Sequence, residues 1–267
     1  MATIEDNKRV WNDSYEWPQG GEEWSEAWGG AQMEWYGVLL PRIHAYVPAP
    51  KTLEIACGRG RWTQFLKDLC EELTVVDLSE NCIEVCRKRF SKEQHISYFV
   101  NDGIKLDMVP DQSIDFVFSF DSLVHAEPSV IESYVTELAR ILTPNGVAFI
   151  HHSNLGAYPQ YASAQSDSLL RKVMTAAGLM ENKVHWRAEA MTADAMSDFT
   201  ASVGLRCISQ ELLNWGTKRA LIDCLSVIVR EDGAMSRPLR KLVNPDFMAE
   251  AEKWRKLSAL YRAPNSD

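Results

Sequence analysis

The sequence predicts an α/β protein built on one doubly wound, mostly parallel sheet. From residue 51 onward, apolar runs of strand length alternate with amphipathic helical stretches. A helix between successive strands requires parallel pairing and right-handed crossovers. The last two apolar runs lack a helix long enough for a crossover, which predicts an antiparallel pair at the end. With 267 residues, the chain is long enough to bury one sizeable core.

The first 50 residues predict a helical cover rather than a disordered tail. Six of the nine tryptophans lie within the first 62 residues, namely Trp11, Trp17, Trp24, Trp28, Trp35 and Trp62. The stretch QMEWYGVLLPRIHAYVP has apolar residues at helical spacing and predicts two short helices, interrupted at Pro41. Most of these rings are expected to pack in the core, whereas Trp24 and Trp28 are candidates for closing over a ligand.

Seven strands follow from the apolar runs, which are KTLEIA, LTVVDLS, HISYFVND, SIDFVFSFDSLVH, VAFIHH, LRCISQELLNWG and LIDCLSVIVRE. Helices are predicted for RWTQFLKDLC, ENCIEVCRKRF, PSVIESYVTELARIL and TADAMSDFTASVG. Ser79 is expected to cap the second of these helices. The turn TPNG precedes the fifth strand.

Three segments are expected. Residues 1–50 form the cover, residues 51–233 form a ligand-binding domain, and residues 234–267 form a C-terminal helical extension. Within the domain, residues 154–190 follow the fifth strand and are too long for a plain loop, which favours a lid over the site. The last stretch is basic and amphipathic, so we interpret it as a packed or oligomer-forming helix.

Composition excludes several classes of function. A formal net charge of -9 argues against a nucleic-acid partner. No apolar stretch approaches the roughly 20 residues that span a bilayer, and the N-terminus lacks the apolar region of a signal peptide. We therefore expect a cytoplasmic protein without a membrane partner. The six cysteines show no C-x-x-C pair and are interpreted as reduced thiols.

The stretch LEIACGRGRW, residues 53–62, predicts a ligand site at the end of the first strand. Gly58 and Gly60 allow a ligand to approach the backbone because no Cβ intervenes. A dinucleotide-binding turn would have a third glycine where Thr63 stands, so that motif is not met. A carboxylate at Glu54 would repel a pyrophosphate but attract a cationic ligand.

This pattern resembles the class I S-adenosylmethionine-dependent methyltransferases, over roughly residues 50–153. Their first motif is an acid followed by x-G-x-G-x-G, which Glu54, Gly58 and Gly60 match, while Ala56 replaces the first glycine. The resemblance implies a Rossmann-like fold and S-adenosyl-L-methionine as cofactor. It also implies that Asp77 grips the ribose hydroxyls. Taken alone, Asp77 could instead cap the next helix.

The same resemblance implies further cofactor contacts beyond the glycine motif. Asp102 after the third strand is expected near the adenine amino group, although Asp102 and Gly103 could also form an ordinary turn. Leu78, Gly103 and Phe120 are expected to contact the cofactor beside these acids.

Polar groups at the ends of the fourth and fifth strands predict the chemistry. Asp121, His125, His151 and His152 fall at the sheet edge where the methyl group should lie. A hydroxyl acceptor must lose a proton as it attacks, and a neutral histidine accepts one near pH 7. The hypothesis is an O-methyltransferase with His152 or His125 as general base and Asp121 orienting that base or binding the acceptor. One histidine of the 151–152 pair could instead be buried and bonded to the backbone.

The acceptor is predicted to be a small molecule. The tryptophan-rich start and the 154–190 segment could form an aromatic cover suited to a sugar ring, with His185, Trp186 and Arg187 as lining candidates. Asp121 and the histidine pair roughly match metal-ligand positions of some O-methyltransferases, but a hard cation prefers oxygen ligands, so a divalent metal is not favoured. Two alternatives stay open, namely N- or C-methylation of a small metabolite and a non-catalytic scaffold that binds the cofactor.

Overall fold

The computed structural model describes residues 3–159, 187–215 and 220–261. Within these ranges, eight strands form one sheet in the order β3-β2-β1-β4-β5-β7-β6-β8. The strands are β1 (Ala49–Ile55), β2 (Cys70–Asp77), β3 (Ile96–Val100), β4 (Ile114–Ser119), β5 (Leu142–Ser153), β6 (Leu205–Leu213), β7 (Asp223–Arg230) and β8 (Arg240–Asn244). β7 runs antiparallel to β5 and β6, and every other pairing is parallel. The predicted mostly parallel sheet with an antiparallel end is confirmed.

Helices connect and cover these strands. They are α1 (Ile4–Lys8), α2 (Ala31–Glu34), α3 (Leu40–Ile43), α4 (Thr63–Leu66), α5 (Glu80–Arg89), α6 (Pro128–Ile141), α7 (Ala193–Ser202) and α8 (Phe247–Tyr261). Short 3-10 or π turns occur at Arg9–Ser14, Glu22–Trp28, Trp35–Leu39, Lys67–Leu69, Leu123–His125 and Leu155–Ala157. As predicted, Ser79 caps α5, since its hydroxyl accepts a hydrogen bond from the Cys82 N–H at 3.1 Å.

The sheet is buried on both faces, which explains why the central strands are continuously apolar. Successive side chains of a strand point to opposite faces. Phe116 and Phe118 of β4 therefore pack with the N-terminal tryptophans, while Val117 packs with α6 and α7. Among the described residues, no helix is both long enough and apolar enough to cross a membrane.

The predicted break at Pro41 is wrong. The backbone is helical without interruption from Ala31 to Ile43, and its middle section, Trp35–Leu39, is a π turn. The Leu40 N–H bonds to the Trp35 carbonyl five residues back, so the hydrogen-bond register changes just before the proline. Pro41 then falls in the first turn of α3, where its missing N–H costs no hydrogen bond.

The count of seven strands is also wrong, because the C-terminal segment contributes one more. Residues 240–244 belong to the stretch predicted as a helical extension, yet they pair in parallel with β6 as strand β8. Pro238 and Pro245 flank this strand and prevent a helix from running through it. Only the later part of the extension, α8, is helical.

The parallel topology brings the carboxyl ends of β1, β2 and β4 to one edge of the sheet, together with the end of β5. The predicted lid spans residues 154–190, of which residues 160–186 lie outside the described part of the chain. The division into cover, domain and extension stays a prediction.

Candidate active site

The loop after β1 takes an unusual backbone shape. Ala56, Gly58 and Gly60 all have left-handed φ angles, of 60°, 56° and 85°. The Ala56 N–H bonds to the Val76 carbonyl at 2.7 Å, which fixes the start of the loop against β2. Alanine in this conformation costs about 1 kcal/mol relative to its favoured regions. The substitution of alanine for the first glycine of the motif therefore leaves the loop shape in place but adds strain.

Different neighbours leave little room for a side chain at the two glycines of this loop. A Cβ on Gly60 would lie 2.6 Å from the Phe90 ring and 3.2 Å from Cys86 Sγ, so this glycine lets the loop pack closely on α5. A Cβ on Gly58 would lie 3.2 Å from the ring of Trp17 in the N-terminal cover. Gly60 therefore faces α5, whereas Gly58 faces the N-terminal cover.

Two buried carboxyl groups flank the loop. Asp77 accepts hydrogen bonds from the backbone N–H groups of Gly58 and Ser79, both at 2.8 Å. Glu54 is 1% exposed, and its Oε2 accepts a hydrogen bond from Thr63 Oγ1 at 2.5 Å. Its Oε1 has no hydrogen-bond partner among the described residues. Burial raises the pKa of Asp77 to about 6 and that of Glu54 to about 8.

These observations fit a polar nucleoside ligand. Asp77 holds the end of β2 against the glycine loop, and the orphaned Glu54 oxygen is a buried acceptor that a donor or cation would satisfy. With a pKa of about 8, Glu54 is mostly protonated at neutral pH, so its attraction for a cation depends on that cation displacing the proton.

The other predicted cofactor residues lie beside this loop, with one qualification. The Asn101 N–H bonds to the Asp77 carbonyl at 3.1 Å, which places the turn after β3 next to β2. Leu78 and Gly103 lie together under Ile4. Asp102 is exposed, and its carboxylate accepts bonds from the N–H groups of the two residues that follow Gly103. Asp102 thus makes the ordinary turn that the sequence offered as the alternative, and its contact with adenine stays a prediction.

The N-terminal cover lies across this edge of the sheet. The rings of Trp11, Tyr15, Trp17 and Trp24 form a cluster with centroid distances of 5.1 to 6.1 Å. Trp11 also lies 5.4 Å from the His125 ring, which follows β4. Trp28, in contrast, is buried against Trp215 and Phe247. Of the two tryptophans predicted to close over a ligand, Trp24 belongs to the cover and Trp28 to the core.

A second group of polar side chains lies beyond the glycine loop, at the ends of β4, β5 and β7. Arg61 donates to Asp121 Oδ2 at 2.9 Å. The Asp121 N–H in turn donates to His151 Nδ1 at 3.1 Å, and His151 Nε2 lies 3.2 Å from Asp223 Oδ2. Arg187 bonds both oxygens of Asp223, at 3.0 and 2.7 Å. We call these five residues the buried polar chain.

Asp121 and Asp223 gain their places in different ways. Asp121 follows Phe120 at the end of β4 with a left-handed φ of 59°, which turns its backbone N–H toward His151. Phe120 is buried against the Trp62 and His151 rings. Burial works to raise the pKa of Asp223, but Arg187 and His151 outweigh it and hold that pKa below its usual range. The buried polar chain therefore holds charged side chains in the interior of the protein.

The structure removes His152 from the candidates for a general base. Its side chain is fully buried, with Nδ1 2.9 Å from the Ser153 carbonyl and Nε2 2.8 Å from Ser226 Oγ. Burial lowers the pKa of His152 to about 4. Both ring nitrogens are engaged within the protein and solvent is excluded, so His152 cannot take a proton from an acceptor at neutral pH.

The remaining predicted groups are placed as follows. His125 lies in the 3-10 turn after β4 and is partly exposed beside Trp11. His151 belongs to the buried polar chain, as does Arg187, whereas His185 and Trp186 lie outside the described residues. In the part of the chain that the structure describes, no three histidine, cysteine or acidic side chains are grouped so as to hold a metal ion.

Sequence reasoning missed Glu34, Arg61 and Asp223. Arg61 directly follows the glycine motif, and the motif assigns no role to that position. Glu34 is the single charged residue in the apolar helical stretch QMEWYGVLL, and this was the signal that could have marked it.

Comparison with known proteins supports the assignment that this geometry suggests. Residues 52–146 match a family model described as a methyltransferase domain. Over these residues the chain is similar to methyltransferase domains. The match includes the glycine loop, Glu54, Asp77 and the acids after β3 and β4. The cofactor that the sequence implies for this methyltransferase domain is S-adenosylmethionine, and the loop described above fits it.

Two curated proteins are similar to part of this chain. Nodulation protein S of Rhizobium tropici is 29% identical over 100 residues, which cover 37% of this chain and 41% of that protein. Malonyl-[acyl-carrier protein] O-methyltransferase of Serratia marcescens is 26% identical over 117 residues, or 44% of each chain. The chain thus matches less than half the length of these two curated relatives.

A solved structure confirms the fold over a longer span. The N-methyltransferase NodS from Bradyrhizobium japonicum WM9, in complex with S-adenosyl-L-homocysteine, superposes with a TM-score of 0.55. The alignment covers 86% of this chain and 99% of that one at 16% sequence identity. The predicted Rossmann-like methyltransferase fold is confirmed by this likeness.

Proposed function

We propose that this protein transfers a methyl group from S-adenosylmethionine to the amino group of a small molecule. The observation that carries the proposal is the loop clamped between β1 and β2, in which Asp77 bonds the Gly58 N–H beside the orphaned oxygen of Glu54. When bound, the cofactor supplies an activated methyl group on a positively charged sulfur.

The residues that would hold the cofactor are those of the predicted set. The loop from Ala56 to Gly60 would lie against it, with Asp77 at the end of β2 and Gly103 after β3. The packed aromatic rings of the N-terminal cover lie over this edge of the sheet and would shield a bound cofactor from part of the solvent. The chain's own contribution is to bind, align the acceptor and handle its proton.

Two observations favour an amine over a hydroxyl. A hydroxyl must lose its proton to a base as it attacks, and His152 is unavailable while His151 is engaged at Nδ1 by the backbone. In addition, the structure with the TM-score of 0.55 is named an N-methyltransferase.

Hydroxyl methylation remains the second candidate, and three observations favour it. His125 is partly exposed beside Trp11, at the end of β4, and therefore has access to an acceptor under the cover. The aromatic rings of the cover suit the face of a sugar, which is the acceptor predicted from the sequence. One of the curated relatives is also named an O-methyltransferase.

Calorimetry with S-adenosylhomocysteine tests the cofactor site. We expect the unmodified protein to bind it and Asp77→Asn to weaken binding by about 10- to 100-fold, because a charged hydrogen-bond acceptor is worth about 1.5–3 kcal/mol. Asp107→Asn, which changes an exposed aspartate between β3 and β4, is the control and should bind as the unmodified protein does. Equal binding by Asp77→Asn would contradict this role for Asp77.

A panel of acceptors with labelled methyl cofactor tests the acceptor. Primary amines of three shapes, an aminosugar, an aromatic amine and an alkyl amine, are compared with a sugar and a phenol that carry hydroxyls only. Transfer to an amine supports the proposal, and transfer to hydroxyls alone supports the second candidate. Tight cofactor binding without transfer to any of them would favour a non-catalytic scaffold instead.

A further inference from the structure

Glu34, at the end of α2, is a buried acid that nothing in the described protein satisfies. Its side chain is completely buried, and neither carboxyl oxygen has a hydrogen-bond partner among the described residues. Burial raises the pKa of this group to about 8. A buried carboxyl without partners costs several kcal/mol if it is ionised, so a native protein keeps one only where a further group completes it.

The surroundings of Glu34 are polar and belong to the same edge of the sheet as the active site. Arg61 lies near enough to lower the pKa of Glu34, and so does the Ser25 hydroxyl, whereas Asp121 and Glu22 raise it. The ring of Trp35, the next residue, stacks on the Phe65 ring with 4.9 Å between their centroids. Its centroid also lies 6.1 Å from that of Phe118 in β4. The packing of Trp35 fixes Glu34 beside the carboxyl end of β4.

If Glu34 is ionised, the cluster formed by Glu34, Arg61 and Asp121 carries one more negative charge than positive charges. Arg61 already donates to Asp121 at 2.9 Å and to Ser25 at 3.4 Å, so its guanidinium is committed to the ion pair with Asp121. Arg61 and Asp121 cancel each other, and an ionised Glu34 would leave the cluster with one uncompensated negative charge. Glu22 does not change this balance, because it bonds Gln64 and Arg89. A ligand that brings one positive charge and several N–H donors would complete the cluster.

We propose that Glu34 is the carboxylate that binds a primary ammonium group in the active site. A –NH3⁺ group presents three donors and can bond both oxygens that now lack partners. A metal ion fits less well, because no group of three ligating side chains occurs among the described residues. The inference rests on the proposed function, in which two molecules carry such a group, the amine acceptor and the methionine end of the cofactor.

If the ammonium belongs to the acceptor, Glu34 also has a chemical task. An ammonium nitrogen has no lone pair, so it must lose a proton before it can attack. The proton passes from nitrogen to a Glu34 oxygen, and the freed lone pair forms the new N–C bond. The electrons of the breaking S–C bond stay on sulfur, which becomes neutral. Because its pKa is raised to about 8, Glu34 is mostly protonated in the free protein, and the arriving ammonium displaces that proton to solvent before it gives up one of its own.

The variant Glu34→Gln keeps the shape of the side chain but cannot ionise. The amide keeps an oxygen that can accept from the nearby Ser25 hydroxyl, so the Tm of the variant at neutral pH should be close to that of the unmodified protein. Glu26→Gln, an exposed acid in the preceding 3-10 turn, is the matched control. It should leave the affinities for both nucleosides and the KM of the amine unchanged.

Three measurements distinguish the sources of the ammonium. Calorimetry compares S-adenosylhomocysteine with 5′-methylthioadenosine, which lacks the amino-acid end, and turnover gives the KM of the best amine in the acceptor panel. If the cofactor is the source, Glu34→Gln weakens S-adenosylhomocysteine binding about tenfold or more and leaves methylthioadenosine binding unchanged. If the acceptor is the source, both affinities are unchanged and the KM of the amine rises by about tenfold or more.

Two results would overturn the proposal. One is the absence of any change in all three measurements. The other is an equal weakening of both nucleosides, which would show a general effect on the loop. A failure of the proposed function looks different, because the unmodified protein would then bind S-adenosylhomocysteine and methylate no amine. In that event the acceptor is excluded as the source, and the comparison of the two nucleosides alone decides the role of Glu34.

Discussion

The two ends of the candidate site place their carboxylates by different means. At the glycine loop, Asp77 accepts from two backbone N–H groups, that of Ser79 two positions later and that of Gly58 19 positions earlier in the chain. In the buried polar chain, Asp223 depends on the side chains of Arg187 and His151. Backbone donors remain in place whatever the neighbouring side chains are, whereas a side-chain partner can be lost by one substitution. The second end should therefore be the more fragile of the two.

The largest expected effect is at Arg187. Arg187→Met removes both charged donors to Asp223, which is completely buried, and leaves a carboxylate with only His151 beside it. Breaking a buried pair in this way costs about 3–5 kcal/mol. Urea unfolding at neutral pH measures the loss.

A surface pair supplies the control for that measurement. Arg87 bonds Glu84 within α5, and both side chains are 53% exposed. Arg87→Met should change the free energy of unfolding by no more than about 0.5 kcal/mol. A loss of similar size in Arg187→Met would show that Asp223 does not depend on its arginine.

A change with pH tests the glycine-loop end. Glu54 releases its proton near pH 4.5 when unfolded but at about pH 8 when folded. Between these values the folded state binds more protons, so the free energy of unfolding of the cofactor-free protein falls as the pH rises. One such group contributes about 1.4 kcal/mol per pH unit, and Glu34 adds to the same fall.

Glu54→Gln isolates the contribution of the loop. Urea unfolding between pH 5 and pH 8 should show a fall less steep by about 1.4 kcal/mol per pH unit than in the unmodified protein. Glu71→Gln removes an exposed acid of β2 and should leave the slope unchanged. Equal slopes for Glu54→Gln and the unmodified protein would mean that Glu54 is already ionised in the folded state.

The smallest expected effect concerns the strain at Ala56. Ala56→Gly relieves a left-handed φ of 60° at the cost of extra freedom in the unfolded chain. It should raise the free energy of unfolding by up to about 1 kcal/mol. Ala139→Gly inside α6 should lower it by about the same amount. Destabilisation by Ala56→Gly would show that the alanine methyl group packs favourably enough to outweigh the strain.

The same difference between the two ends explains what could be predicted from the sequence. The glycine loop, Glu54 and the acid after β2 form local patterns of a few residues, and the fold follows from alternating apolar runs. Arg61 and Asp121, by contrast, are 60 positions apart, and Arg187 and Asp223 are 36 apart. No local period reveals such pairs, because they meet only when the sheet is assembled.

Two errors have simple physical reasons. Neighbouring residues of a strand point to opposite faces, so His151 and His152 could never both face the acceptor. In the structure, His151 belongs to the buried polar chain, and His152 lies on the opposite face of the sheet. Strand β8 was missed because its basic residues continue into a helical pattern, although Pro245 separates the two.

The packing of Trp17 on Gly58 also gives the protein a built-in optical signal. Indole emission depends on the polarity around the ring and on its contacts with neighbouring cations, and Arg59 lies 5.3 Å from this ring. We expect a nucleoside that binds beside Gly58 to change both. Intrinsic fluorescence can therefore follow ligand entry in real time, without any label attached to the chain.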